Sequence, residues 1–196
     1  MRLNLCSVFL LVARITTIIA AQIRGYSCYK IDAAHFINFW GGADSDGFVQ
    51  VFTVNTSTWA VTTANSSLEF DTQHNYSNSC YQIDSNHFIN FWSGAGDDGF
   101  TQVFTVNTST WAVTTAAASL EFDTQNCWYN SCYQVDTNHF INFWQGVDSD
   151  GYVQVFKVTL SAGPSNLKTL NTVAKSSIKT INTNTIANTK TYNTIT

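Results

Sequence analysis

The strongest constraint on the fold is a repeat. The six residues HFINFW occur three times in the chain of 196 residues, beginning at His35, His87 and His139. A Ser-Cys-Tyr triplet precedes each copy, and both motifs recur at an interval of 52 residues. A fixed period of this order indicates similar structural units that each pack against their neighbours. The chain is therefore predicted to be an array.

The second unit shows the strand pattern most clearly. Its apolar and β-branched runs are SCYQI, HFINFW, TQVFTV and TWAVTT, and turn-forming clusters separate them at 84–86, 94–99 and 107–109. No part of the unit has a sustained period of about 3.6 residues, so helix content is expected to be near zero. Four strands joined by short turns predict an antiparallel meander.

The strands are predicted to be buried on both faces. HFINFW places Phe and Trp on one face of a strand and Ile and Phe on the other, whereas a sheet with one face in water alternates apolar and polar residues. Small four-stranded sheets stacked around an axis meet this condition, because each sheet covers its neighbours. The pattern favours the blades of a β-propeller. A β-trefoil, which also has three units of four strands, and other stacked sheets are the alternatives.

The glycines and aromatic residues of the first unit resemble the kelch repeat. Gly41 and Gly42 follow the second strand, and Trp59 comes seven residues after Phe52. The second unit keeps the aromatic spacing, but the double glycine becomes Ser-Gly and then Gln-Gly, and the third unit has lost the tryptophan. The resemblance covers residues 27–160. It implies a propeller fold that serves mostly as a recognition scaffold and only occasionally as an oxidase.

Three blades are fewer than the about four to eight that close a propeller. The end blades would then expose apolar faces and strand edges. The chain is expected to be a fragment of a longer array, to assemble as a homo-oligomeric ring, or to cover one end with its C-terminal segment. The predicted fold class is all-β, an incomplete or oligomer-completed β-propeller of three four-stranded blade-like repeats.

The segment boundaries follow from the repeats and from changes in composition. Residues 22–79 and 80–131 are predicted as two blade-like repeats, and residues 132–163 as a partial third. Residues 1–21 resemble a secretory signal peptide, with a shortened copy of a preceding repeat as the alternative. Residues 164–196, the tail, form a low-complexity Thr/Asn/Lys segment with 11-residue repeats. Disorder or marginal β-structure is expected there.

The composition limits the classes of partner. Only 11% of residues are charged and the net charge is −4, while Thr, Asn and Ser are abundant. This balance is typical of secreted or cell-surface β-proteins. The lysines of the tail are widely spaced and lack accompanying arginines and aromatic platforms, so nucleic acid is not an expected partner. Arg14 interrupts the apolar N-terminal run, so no stable membrane span is expected.

The five cysteines fall into three groups. Cys28, Cys80 and Cys132 occupy one repeat position, and equivalent positions of neighbouring units generally lie too far apart for a disulfide. They are predicted to be small buried apolar residues. Cys127 occurs in the third inter-repeat segment alone, where it forms either a local disulfide with Cys132 or a free thiol. Cys6 would be removed with a signal peptide.

Two recurrent polar motifs are candidates for chemistry. Acidic turns at 44–47, 97–99 and 148–151 could hold Ca²⁺, but Asp-Gly is itself a strong hairpin signal, and the hairpin interpretation is favoured. Each HFINFW motif begins with a His three residues after an Asp, as in Asp32 and His35. A residue that every unit repeats serves that unit's turn more simply than catalysis. No catalytic residue, metal site or cofactor is therefore predicted.

Positions that differ between the units are where specificity is expected. They are Lys30, Gln82 and Gln134; residues 33–34, 85–86 and 137–138; Gly41, Ser93 and Gln145; and segments 74–77 and 126–129. The predicted function is a secreted or surface-displayed, non-catalytic module that binds a glycan or protein partner through these loops. One alternative is a fragment of a propeller enzyme, a hydrolase or oxidase, that lacks its catalytic blades. The other is a structural array without a ligand. Glycosylation sequons begin at Asn55, Asn65, Asn75 and Asn107.

Overall fold

The protein folds into three antiparallel β-sheets. The computed structural model describes residues 24–160 and 167–178, in which strands and three short 3₁₀ turns are the regular elements. Each sheet begins as a meander in which consecutive strands are neighbours. The predicted all-β class is confirmed. Within these ranges no helix is long and apolar enough to cross a membrane.

The first sheet contains five strands. They are β1 Arg24–Lys30, β2 His35–Gly41, β3 Gly47–Val54, β4 Val61–Thr63 and β5 Leu68–Asp71. Both β4 and β5 pair with β3, β4 along residues 52–54 and β5 along residues 47–49. Two short strands therefore share the fourth position of the sheet.

The second sheet repeats the first. Its strands are β6 Tyr76–Gln82, β7 His87–Ser93, β8 Gly99–Val106, β9 Val113–Thr115 and β10 Leu120–Asp123. The β7–β8 register places His87 opposite Thr105 and Ser93 opposite Gly99, as the β2–β3 register places His35 opposite Thr53. Equal sequences therefore give equal pairings.

The third sheet takes its fourth strand from the tail. Its strands are β11 Trp128–Gln134, β12 His139–Gln145, β13 Gly151–Leu160 and β14 Leu167–Ile178. β14 pairs with β13 from Gly151–Ile178 to Leu160–Leu167, along the whole of β13. A single strand thus occupies the position that two short strands share in the other sheets. The remaining residues of the tail, 179–196, and the segment 1–23 lie outside the described residues.

The sheets stack face to face around two apolar cores. Ile37, Phe39 and Val51 of the first sheet pack on Phe88 and Phe104 of the second, and all five side chains are fully buried. The same positions 52 residues later form the core between the second and third sheets. Burial of each large apolar side chain contributes about 1.5–3 kcal/mol. The second sheet is therefore buried on both faces, as its strand pattern predicts.

The architecture is an incomplete β-propeller of three blade-like sheets. Each sheet is a separate antiparallel unit that contacts its sequence neighbours through opposite faces. The β-trefoil alternative is wrong, because the strands form three stacked sheets with two cores rather than one closed barrel around a single core.

The cysteines depart from the prediction at one position. Cys80 and Cys132 are free and buried, and burial raises the pKa of the Cys80 thiol to about 12 and that of Cys132 well above its ordinary value. Cys127 is also a buried thiol outside any disulfide, so it is not bonded to Cys132. Cys28, however, is disulfide-bonded. The prediction considered the equivalent repeat positions and Cys127 alone, and Cys28 is not paired with any of Cys80, Cys127 and Cys132, which are thiols.

Candidate functional site

The repeated Asp–His motif closes the turn between the first two strands of each sheet. The Asp32 carboxylate accepts the backbone N–H groups of Ala34 and His35 at 2.8 Å and contacts the His35 ring nitrogen Nδ1 at 2.9 Å. Asp84 and Asp136 make the same set of contacts in their units. The prediction that the motif serves the turn is confirmed.

These contacts lower the pKa values of two of the three carboxylates, Asp32 and Asp136. Partial burial acts to raise the pKa of Asp32, but the N–H group of Ala34 and the His35 ring outweigh it and hold the pKa below its ordinary value. The N–H group of Asn138 and the His139 ring lower the pKa of Asp136. Both carboxylates are therefore held in the charged form, which suits a structural acceptor and not a proton donor.

The acidic turns lie at the opposite end of the sheets, between the second and third strands. In the first sheet Asp44 and Ser45 adopt positive φ angles of 58° and 70°, and the Gly42 N–H donates to the Asp46 carbonyl at 2.8 Å. Asp tolerates this left-handed conformation better than most residues. Among the described residues, no three His, Cys, Asp or Glu side chains come together as metal ligands. The turns are hairpin connections.

The turn of the second sheet differs because both variable inter-repeat segments contact it. His74 Nδ1 lies 2.9 Å from the Gly94 carbonyl oxygen and 3.7 Å from Asp97 Oδ1. From the other side, the Cys127 N–H donates to the Asp97 carbonyl at 2.8 Å. Segments 74–77 and 126–129, which the sequence marks as variable, therefore meet at one place.

Three exposed side chains of different chemistry belong to this turn and its two flanking segments. The side chains of Asp97 and His74 are 39% and 28% exposed, and Trp128 is 37% exposed. We call the site formed by His74, Asp97, Trp128 and the adjoining Thr72–Gln73 the turn-end groove. It offers a carboxylate, an imidazole and an indole, together with the polar side chains of residues 72 and 73.

A cleft of about 270 Å³ adjoins the turn. Its walls include Thr72, Gln73 and Ser119 beside the rings of Phe70 and Trp92. Asp71 also lines the cleft and is engaged through both oxygens, because Oδ2 accepts the Trp92 Nε1–H at 2.7 Å and Oδ1 accepts the backbone N–H of Gln73 at 3.0 Å. Asp71 therefore holds the second sheet against the first and shapes the cleft.

Comparison with known proteins gives a limited match. No family model and no curated protein matches the sequence. The kelch resemblance stays a prediction. Similar solved structures include Bombyx mori GH32 β-fructofuranosidase and a mutant of it in complex with sucrose, each at 13% identity over 74% of this chain, with TM-scores of 0.46 and 0.47. The chain spans 37% of the length of that enzyme.

The structure divides the predicted variable positions between two ends. Residues 33–34, 85–86 and 137–138 lie in the turns closed by the Asp–His motif, whereas segments 74–77 and 126–129 lie at the acidic-turn end. Ser93 is fully buried and cannot contact a partner in solution. The sequon residue Asn75 is also fully buried, so it is not a glycosylation site in the folded protein.

Sequence reasoning missed the part played by Asp97. The sequence presents three acidic turns, but the second differs from the other two at two positions: Gly96 stands in place of Asp44 and Asp148, and Asp97 in place of Ser45 and Ser149. These two differences were the signal that could have found the groove. Asp97, which differs from its counterparts in the other units, lies beside the variable segments 74–77 and 126–129.

Proposed function

We propose that the protein is a non-catalytic, secreted or surface-displayed module that binds carbohydrate in the turn-end groove. The observation that carries the proposal is that both variable segments meet at the Asp97 turn, where the partly exposed Asp97 and His74 side chains are 3.7 Å apart and the exposed Trp128 directly follows Cys127, which donates to Asp97. The kelch resemblance, which implies a recognition scaffold, agrees with this proposal.

The chemistry of the groove suits a sugar. A sugar presents hydroxyl groups around its ring and apolar C–H groups on its faces. The Asp97 carboxylate accepts hydrogen bonds from hydroxyl groups, and charge-assisted bonds of this kind are stronger than neutral ones. The Trp128 indole offers a flat apolar face with a polar edge. Gln73 and Thr72 in the adjoining cleft supply further donors and acceptors.

Glycoside hydrolysis requires two carboxyl groups, one on each side of the scissile bond. Asp71 is bound by Trp92 and by backbone N–H groups through both oxygens, so it is not free for such a role, and the partly exposed carboxylates of the turn are those of Asp97 and the adjacent Asp98. The described free thiols are buried, and the raised pKa of Cys80 and Cys132 makes them poor nucleophiles. These features support binding rather than turnover.

The composition and the disulfide of this chain support the secreted or surface location in the proposal. Charged residues make up only 11% of the chain, and disulfides such as that of Cys28 persist in oxidising compartments.

The test is calorimetric titration of the full chain with a panel of soluble neutral and acidic oligosaccharides. We expect at least one to bind, and Trp128→Ala and Asp97→Asn each to weaken that binding about tenfold or more. Tyr133→Ala removes an exposed aromatic residue of the same strand outside the groove and serves as the matched control. Absence of binding across the panel, or an equal loss in the Tyr133 control, would refute the proposal.

A further inference from the structure

The second and third sheets each bury one face against the sheet before it, and we call this the backward face of a sheet. In the second sheet it carries Cys80, Phe88 and Phe104, which lie in the core between the first two sheets. The same positions of the third sheet lie in the next core. The corresponding residues of the first sheet are Cys28, Phe36 and Phe52. Among residues 24–160 and 167–178, no sheet precedes the first one.

The backward face of the first sheet is nevertheless covered. Phe36 is only 8% exposed, Cys28 is disulfide-bonded, and Phe36 and Phe52 each have an interaction partner. The outward face of the third sheet is open by comparison, since Phe143 is 38% and Tyr133 is 58% exposed. The structure contains a single chain. The cover of the first sheet therefore comes from the chain itself.

The partner of Cys28 follows from the number of cysteines. The chain has five, and Cys80, Cys127 and Cys132 are thiols. Because the structure contains one chain, the partner belongs to that chain, and Cys6 is the remaining cysteine. It lies in residues 1–23, which lead directly into β1 and which we call the N-terminal segment.

In the other two units, the residues that lead into the first strand pack on the backward face of the sheet that follows. The ring centroid of Phe70, which precedes β6, lies 5.1 Å from that of Phe104. The ring centroid of Phe122, which precedes β11, lies 5.2 Å from that of Phe156. Phe52 is the counterpart of Phe104 and Phe156 in the first sheet. The N-terminal segment has the same place in the chain relative to β1.

The sequence of the N-terminal segment suits this place. Residues 5–13, LCSVFLLVA, are apolar apart from one serine, and such side chains gain free energy when they are removed from water. Residues 14–32 resemble a shortened copy of residues 60–84. In that copy β4 and β5 belong to the sheet that covers the backward face of the second sheet. The repeat therefore assigns the N-terminal segment to the backward side of the first sheet.

We propose that residues 1–23 are a structural cap on the backward face of the first sheet, fastened by a disulfide between Cys6 and Cys28, and not a removable leader. The bond forms when the two thiols give up two protons and two electrons to a disulfide oxidant such as oxidised glutathione, which is reduced to two thiols. The cap does for the first sheet what a preceding sheet does for the other two. The inference is independent of the carbohydrate proposal.

The first test maps the disulfide in the full chain, which is oxidised in a glutathione redox buffer and alkylated before digestion. We expect a peptide pair in which Cys6 is linked to Cys28 and which separates on reduction. Alkylation of both cysteines in the folded, oxidised protein would overturn the proposal. A bond from Cys28 to any other cysteine would do so too.

Thermal melts of the full chain test whether the bond fastens the cap. We expect reduction to lower the melting temperature of the wild type by about 4–16 °C. Cys6→Ser is the matched control, and it should melt with the reduced wild type and not respond to the reductant, because Cys80, Cys127 and Cys132 are already thiols. Equal melting temperatures of the oxidised and reduced wild type would contradict the proposal.

Hydroxyl-radical footprinting tests the cover itself. In the full chain we expect Phe36 to be labelled much less than Phe143. In a chain that begins at Gln22, Phe36 should be labelled about as strongly as Phe143. Labelling of Phe39 reports whether the first core stays folded, and its loss of protection would mean that the first sheet needs the cap to fold. Strong labelling of Phe36 in the full chain, or unchanged protection in the shortened one, would refute the cap.

Discussion

At the scale of single residues, Asp97 shows how a repeat acquires a distinct site without disturbing its fold. The residue replaces the serine of the other two turns and keeps their positive φ, here 66°. Asp is among the residues that tolerate this conformation, and Gly96 stands where the other turns have Asp44 and Asp148, so the turn is kept while its carboxylate moves by one residue to a position beside His74. The chemistry of a turn can therefore change while the sheets remain constant.

The Asp–His turns give a prediction for acid stability. The folded pKa values of Asp32 and Asp136 lie below the ordinary value of 3.8, so both carboxylates stabilise the fold above that value. The contribution is lost as the pH falls below about 4, through the folded pKa values. We expect the Asp32→Asn, Asp136→Asn double variant to lose less unfolding free energy than the wild type between about pH 5 and pH 3. Urea titrations across this range measure the two slopes, and equal slopes would contradict the assignment.

The candidate site could be predicted only in part. Comparison of the units identified segments 74–77 and 126–129 as variable, and the structure brings them together at the Asp97 turn. Their meeting could not be predicted, because it depends on which ends of neighbouring sheets adjoin. The sequence also could not show that Ser93, a variable position, is fully buried.

At the scale of elements, the first three predicted strands of each sheet are confirmed, whereas the prediction of the fourth strand is wrong. The run TWAVTT was predicted as one strand, but β9 covers only Val113–Thr115. Asn107 Oδ1 accepts the N–H of Ser109 at 2.9 Å, and the Trp111 N–H donates to the Asn107 carbonyl at 2.6 Å, so this stretch turns instead. The short strand LEFD was not predicted, because four residues that include an exposed glutamate are too few to show a clear alternation of apolar and polar residues.

The tail strand β14 gives a prediction at this scale. A chain that ends at Leu160 would leave β13 as an exposed edge over its whole length, which invites aggregation. We expect such a chain to lose at least about 2 kcal/mol of stability, which corresponds to a melting point lower by roughly 4–8 °C. Thermal melts followed by circular dichroism measure the change.

The matched control for this truncation is a chain that ends at Ile178 and therefore keeps all of β14. We expect it to melt within about 2 °C of the full chain. If both truncated chains melted alike, the pairing of β13 with β14 would not contribute measurably to the fold.

At the scale of the whole molecule, the environment of a residue depends on the place of its sheet in the stack. Phe39, Phe91 and Phe143 have the same sequence neighbours within HFINFW, yet the first two are fully buried and the third is 38% exposed. Periodicity predicts which face a residue occupies. It cannot predict whether another sheet covers that face, because coverage depends on where the array begins and ends.

The difference in exposure among these three phenylalanines gives a stability prediction for three equivalent substitutions. Phe39→Ala and Phe91→Ala each leave a cavity in a packed core, and we expect a loss of about 3–5 kcal/mol. Phe143→Ala should cost less than about 1 kcal/mol, because its ring is already 38% exposed and its removal leaves no enclosed cavity. Urea unfolding at low protein concentration measures all three. An equal loss at Phe143 would mean that its face is covered within the single chain.

The equivalence of the two junctions has a genetic consequence. Since the core between the first and second sheets uses the same repeat positions as the core between the second and third, an in-frame duplication of 52 residues would add a blade together with both surfaces that the blade needs. No compensating mutation would be required at the new boundary. Unequal crossing-over between the near-identical units can therefore lengthen or shorten such a protein by whole blades, and each product would inherit a junction that has already been selected.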